Sequence, residues 1–366
     1  MKHNRIFVII AAALAFNASA ETTQKLSATK ANDFAIVYSL PLTSVDITLE
    51  TVRTVRTPGE FHDYAKRILN VDDPVEQPSV DYTLKSVTIT THGVPDPSRR
   101  YSVKFNSGSA PFMILSANDV PLAVNTEEVY TPKAVGLPVP QDAAPSPLQT
   151  EAARQVMTED MLRSQSTLKR AQIAAEQLYA LRQSRSDLLT GQADQMPPDG
   201  QAMQLVLDNL NAQEAALTAM FLGTEQTSTE VSTISFTPSA ADSDINGKVI
   251  ARLSSVDGIV DANNLSGAPI TLTYKVTSRG EMPKNEKGTP LPFPKNGFAY
   301  CIPGTAQVSV SFDGEKLADK SVDIAQAGID YGLAPNSFTD KRAPAYLIID
   351  PATGAAIEIG TKKQAN

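Results

Sequence analysis

The chain has 366 residues with 32 basic and 40 acidic side chains, a formal charge of −8, one cysteine and no tryptophan. With a pI near 5.1 and no Lys/Arg run, it lacks the basic face that nucleic acid or an anionic lipid surface requires. A single cysteine excludes an intramolecular disulfide framework and a cysteine-cluster zinc site, so apolar cores must supply the stability.

Residues 1–20, MKHNRIFVIIAAALAFNASA, carry a basic start (Lys2, His3, Arg5), an apolar run and a small-residue end (Ala18, Ser19, Ala20). This pattern predicts a secretory signal peptide. Its apolar run is well short of the roughly 20 residues that span a bilayer, and no later stretch approaches that length. The expectation is a soluble exported chain, periplasmic or secreted, with no transmembrane helix after cleavage. No cysteine follows the run, so lipid anchoring is not expected. Losing Lys2 and Arg5 leaves 30 basic against 40 acidic groups, a charge of −10.

A first β-rich domain is placed at residues 30–131. FAIVYSL at 34–40 is a compact apolar run, and Val45, Ile47 and Leu49 alternate with Asp46, Thr48 and Glu50, the period of a half-buried strand. Thr57-Pro58-Gly59-Glu60 then reads as a helix start with a capping box, ending near Asn70. Strand character resumes at 82–90 and 101–105 on either side of a GVPDPS turn, and again at 112–115.

Residues 132–147 hold five prolines (132, 138, 140, 145 and 147) in spaced positions, which fix φ and remove donors, and read as a stiff connector. Residues 148–223 follow as a helical hairpin. Its first helix, 148–189, has no Pro or Gly and carries a drifting apolar stripe; its second starts at Asp199 and closes at Gly223. The first is much the longer, so about half of it, around 155–169, is expected to need another surface.

Strand signals return in a second β-rich domain, 229–360: VSTISF, KVIARL, ITLTYKV, AQVSVSF and AYLIID, with an Asp313-Gly314 turn and a PATG turn. The expected fold class is α+β: two β-rich, antiparallel, sandwich-like domains with an inserted long helical hairpin.

Catalytic signatures are missing. His62 and His92 have no G-x-S-x-G, HExxH or P-loop beside them, and no catalytic residue is assigned. Asp242, Asp244 and Asn246 match the first half of a calcium loop, but its twelfth position is Leu253 rather than a bidentate Glu, so calcium is a speculative ligand and no other cofactor is expected. Arg182 and Arg185 lie three apart near the end of the first helix, and Glu214 interrupts the apolar stripe of the second. They are candidates for a ligand- or partner-binding cluster, against the plainer reading of ion pairing that docks the hairpin.

Several fragments together resemble an uncharacterised family. These are TPGEF at 57–61, LRQSR at 181–185 through Gly191, Pro198-Asp199-Gly200, Phe221-Leu222-Gly223, YCIPG at 300–304 and AQAG at 325–328. The family is domain of unknown function family 4831, exported proteins of Bacteroides-like bacteria. The resemblance implies a bacterial envelope address and no transferable activity, cofactor or catalytic residue. The expectation is a non-enzymatic envelope protein that binds a partner protein or glycan; the alternative is a carboxylate-based hydrolase acting on envelope or dietary polymers.

Overall fold

The computed structural model describes residues 7–9, 22–25, 36–104, 112–197, 200–294, 297–340 and 342–362. Apart from residues 7–9, the predicted leader lies outside the described residues, as does the expected N-cap Asp199. The strands are β1 (Phe7–Ile9), β2 (Thr22–Lys25), β3 (Ile36–Thr57), β4 (Ser79–Lys104), β5 (Met113–Leu115) and β6 (Pro121–Val124). Four helices follow: α1 (Glu151–Gln155), α2 (Glu159–Arg163), α3 (Thr167–Thr190) and α4 (Gln201–Leu222). The chain then returns to strands: β7 (Thr224–Phe236), β8 (Asp244–Ser254), β9 (Gly258–Val260), β10 (Ala268–Ser278), β11 (Phe298–Phe312), β12 (Glu315–Leu333), β13 (Ala345–Ile349) and β14 (Ala356–Thr361).

These strands form three antiparallel sheets, β2-β4-β3-β7, β12-β11-β10-β8-β9 and β1-β5-β6-β13-β14. The protein is mostly β. Period-two alternation sets the first core: Val45, Ile47 and Leu49 of β3 face Ile270, Leu272 and Tyr274 of β10 and Val308 and Val310 of β11 across the first two sheets. A second core joins Ile36, Tyr38 and Leu40 at the start of β3 to Met113, Leu115, Phe298, Leu347 and Ile349. Both cores therefore mix residues from the expected first and second β-rich parts. The boundary between those parts does not coincide with a boundary between cores, because β7 zips along β3 from Thr57–Thr224 to Val45–Phe236.

The long hairpins β3–β4 and β11–β12 pass from one core to the other, and each shifts register where it does so, between Ser39 and Pro41 and between Ile302 and Gly304. Pro41 pairs with Pro95 at the first shift. A proline there removes no ladder bond that the bulge had not already lost, so β3 and β4 are each one bent strand rather than the two separated strands expected. Gly93 of β4 lies beside the turn after β13, where a Cβ would sit 1.9 Å from the Pro351 carbonyl oxygen.

The helical region departs from the expected lopsided pair. Residues 148–189 are not one helix, since the side chains of Thr150, Thr158 and Ser166 accept from the amides of Ala153, Met161 and Lys169 and restart the helix three times. The stretch expected to lack a partner folds back instead. Ala153, Val156 and Met161 pack with Ala171, Ala174 and Leu178 of α3 and Leu217, Met220 and Phe221 of α4 in a third core.

Residues 57–70 meet expectation at one end only: the helical turns His62–Tyr64 and Ala65–Leu69 do end at Asn70, which takes the left-handed cap conformation (φ 55°), but the start differs. Thr57 stays in β3, and the 3-10 turn His62–Tyr64 has no side-chain cap. Phe61 instead donates its amide to the Met220 carbonyl at the end of α4 (2.7 Å), and Glu60 pairs with Arg170 of α3 (2.5 Å). An orphan helix-end carbonyl is thereby satisfied from outside the helix. The proline-rich connector runs beside β7, where Gln141 and Thr229 exchange both backbone bonds; one edge of that sheet is thus partly covered.

Candidate functional site in the groove between the long helices

On α3, Ala171, Ala174, Ala175 and Leu178 form a small-residue face that lets α4 approach closely, and α4 answers with Ala216, Leu217 and Met220. Beyond Leu178 the same face turns polar. Arg182 Nε donates to Glu214 Oε1 (2.8 Å), Arg185 pairs with the other oxygen of Glu214, and Arg185 Nη1 donates to Asn211 Oδ1 (3.2 Å). Pairing 182 with 214 and 185 with 211 runs the two helices antiparallel.

The three residues singled out from the sequence are thus brought together, Asn211 joining them. The Glu214 side chain is 15% exposed, whereas Arg182 and Arg185 are 44% and 36% exposed. The carboxylate lies beneath and the guanidiniums face outward, leaving one net positive charge in an acidic chain. They line an open groove of about 480 Å³ together with Pro147 and Thr218.

The other sequence candidates are occupied locally. Asp242 accepts from the Ser239 amide (2.7 Å) and caps its own turn, and Asn246 accepts from Thr273 Oγ1 (3.4 Å) on the neighbouring strand. Asp244 opens β8 opposite Lys275. Among the described residues no group of three or more His, Cys, Asp or Glu side chains is placed to hold a metal ion. His62 Nδ1 bonds the Gly59 carbonyl (2.8 Å). His92 Nδ1 bonds Asp46 (2.6 Å), whose other oxygen accepts from Ser235 (2.6 Å). That order places the carboxylate between histidine and serine, so the imidazole cannot activate the hydroxyl as it does in a Ser-His-Asp triad.

A second constellation was not anticipated. Where the long hairpins bend, Arg99 of β4 and Asp330 of β12 form an ion pair, Tyr101 donates its hydroxyl to the same carboxylate, and Arg99 Nη1 donates to the Pro41 carbonyl (3.2 Å). Cys301, fully buried, stands directly opposite Asp330. Burial pushes the Cys301 thiol above its ordinary pKa, with Arg99 opposing. Tyr101 is raised by burial and by its bond to Asp330. Burial works against the charged form of Arg99, but Asp330 and the neighbouring Cys301 together outweigh it and the guanidinium is held above its usual value. The cluster clamps β4 to β12 around a protonated, enclosed thiol, an arrangement suited to holding strands and not to nucleophilic attack.

The carboxyl groups that move from their ordinary values, Glu50, Asp242, Glu281, Asp319 and Asp340, all move down, each mainly through a hydrogen bond to the charged form. A glycosidase-type general acid needs the opposite shift.

The family model described as Domain of unknown function (DUF4831) matches residues 35–357. The chain belongs to this family. No curated protein and no solved structure matches it. The DUF4831 match takes in the helices and spans from the first strand of the second core to β14, so the family unit includes both the arginine groove and the Arg99–Asp330 clamp. Among the described residues of this DUF4831 chain, no helix is long and apolar enough to cross a membrane.

Proposed function

We propose that this DUF4831 protein is an exported envelope protein of a Bacteroides-like bacterium that works by binding, its helical hairpin presenting an anion-accepting groove to a partner protein or glycan. The observation that carries this reading is the arrangement of Arg182 and Arg185 over Glu214. A carboxylate beneath two guanidiniums fixes their planes while leaving outward N–H groups for a second anion. Arginine suits that task because its planar fork matches a carboxylate or phosphate. The groove is open and shallow, which fits an extended partner better than an enclosed small substrate. The carboxylate-based hydrolase is the weaker reading, since the shifted carboxyls are lowered, the opposite of what a general acid needs.

The test is capture from envelope extracts by the purified protein and by an Arg182→Gln/Arg185→Gln double variant whose melting temperature matches the parent. Loss of one or a few captured proteins or acidic glycans in the variant, and a parental interaction that weakens with salt, supports the reading. An identical captured set from both proteins overturns it.

A further inference from the structure

A sheet edge with unpaired backbone groups recruits another strand unless it is covered or blunted by charge. In the sheet β1-β5-β6-β13-β14, one edge strand is β1, which lies inside the predicted leader. It pairs antiparallel with β5, Phe7 opposite Leu115, Val8 opposite Ile114 and Ile9 opposite Met113. Removal of the leader takes this strand away and leaves β5, whose residues Met113, Ile114 and Leu115 are all apolar, as an open edge.

The other edge of the same sheet carries the complement. Ile359 of β14 stands opposite Leu347, a residue of the second core, so it continues the core face beyond the last paired strand. It is 52% exposed, and Ile357, two residues earlier, is 48% exposed. Every neighbouring pair in this sheet is antiparallel. Four such steps separate β1 from β14, so the two run in the same direction. A second copy shifted along the sheet without rotation therefore brings its β14 to β5 with the polarity of β1. Ile357 and Ile359 then take the positions of Phe7 and Ile9, opposite Leu115 and Met113.

We propose that mature copies of this chain join edge to edge in this way, the β14 strand of one copy occupying on β5 of the next the place held by β1 in the uncleaved chain. Main-chain bonds supply the attraction and the two isoleucines supply the register. The contact is head-to-tail and leaves one edge free at each end, so it propagates instead of closing at a dimer. Because β5 has only three residues, each junction is weak and assembly depends on concentration. The inference rests on the export reading above.

Sedimentation of residues 21–366, with the N-terminus verified by mass, is compared with that of the uncleaved chain 1–366. The expected result is a series of oligomers beyond the dimer that grows with concentration for the cleaved chain only. Ile357→Lys/Ile359→Lys, at half-exposed positions, weakens the association at least tenfold with an unchanged melting temperature. A photo-crosslinker at position 359 captures the peptide containing Met113 from another copy, a readout independent of that variant. A cleaved chain that stays monomeric, stops at a dimer, crosslinks elsewhere or associates no more than the uncleaved chain overturns the inference while leaving export intact. An exported chain whose mass still includes the leader overturns both.

Discussion

Replacing Asp330 by Asn removes one charge from the clamp between β4 and β12 while keeping its volume and one acceptor. The Arg99 side chain is 13% exposed and Asp330 23% exposed, so the guanidinium would be left nearly buried beside the Pro41 carbonyl with no counter-charge. Breaking a fully buried pair from one side costs about 3–5 kcal/mol. The partial exposure of Asp330 lets water replace some of the lost interaction and brings the expectation to about 2–3 kcal/mol. Urea unfolding is the assay; with a slope of about 3 kcal/mol/M the midpoint should fall by roughly 0.7–1 M. Lys66→Ala is the control, because Lys66 and Asp72 are 61% and 69% exposed and a pair of that kind contributes about 0–1 kcal/mol. Replacing both partners, Arg99→Met with Asp330→Leu, should recover much of the loss, since a missing pair costs less than an orphaned charge. A shift for Asp330→Asn no larger than that of the Lys66 control would refute the reasoning and make the clamp an ordinary surface pair.

Ser166→Ala and Thr158→Ala should each lower stability by about 1 kcal/mol through loss of an N-cap; melting temperatures unchanged from the parent would show that the restarts of the helix do not depend on these hydroxyls. Native Cys301 should resist iodoacetamide at pH 8 and react fully in urea, being fully buried with a raised pKa; alkylation of the folded chain would refute its enclosure. Burial holds Cys301, Tyr38 and Tyr274 neutral, the last pushed up to about 12. The unfolded chain ionises such groups from about pH 8.5–10, so stability should be complete below that range and fall as pH rises through it toward 12. The lowered carboxyls Glu50 and Asp319 act with the opposite sign, their contribution present above about pH 4 and lost on acidification. Asp319 is 39% exposed and the Lys85 partner of Glu50 is 56% exposed, so solvent screens both interactions and the acid limb should be the shallower. Urea midpoints measured from pH 3 to 11 check both limbs, and a flat profile between pH 9 and 11 would contradict the alkaline one.

Local signals carried much of the β structure. Val308, Val310 and Phe312 alternate into Asp313-Gly314, whose φ values of 50° and 77° are those of the primed hairpin turn that such a pair favours. The contact of Arg182 and Arg185 with Glu214 was also readable, because positions three and four apart share a helix face and the intervening Pro/Gly turn reverses the chain. Three things were hidden. The GVPDPS segment around Pro95 read as a turn, since the position of a bulge relative to a proline depends on a partner strand. The run without Pro or Gly at 148–189 read as one helix, since intrinsic propensity says nothing of which Ser or Thr will cap. Arg99 and Asp330 are 231 residues apart in sequence, and no periodicity links them.

The mixing of early and late residues in the cores sets the order in which this chain can fold. The helices of the third core are made largely of neighbours in sequence and can form as soon as residues 150–222 are available. Ile36 and Tyr38 have no such option, for they are buried against Phe298 and Leu347, and β3 waits for β7 on one side. Contacts so distant in sequence are slow to form. A growing chain can pair β3 with β4 early, but the apolar face of that hairpin stays incompletely covered until the late strands are made, with the helical unit as an early island and closure of the β cores as the last step.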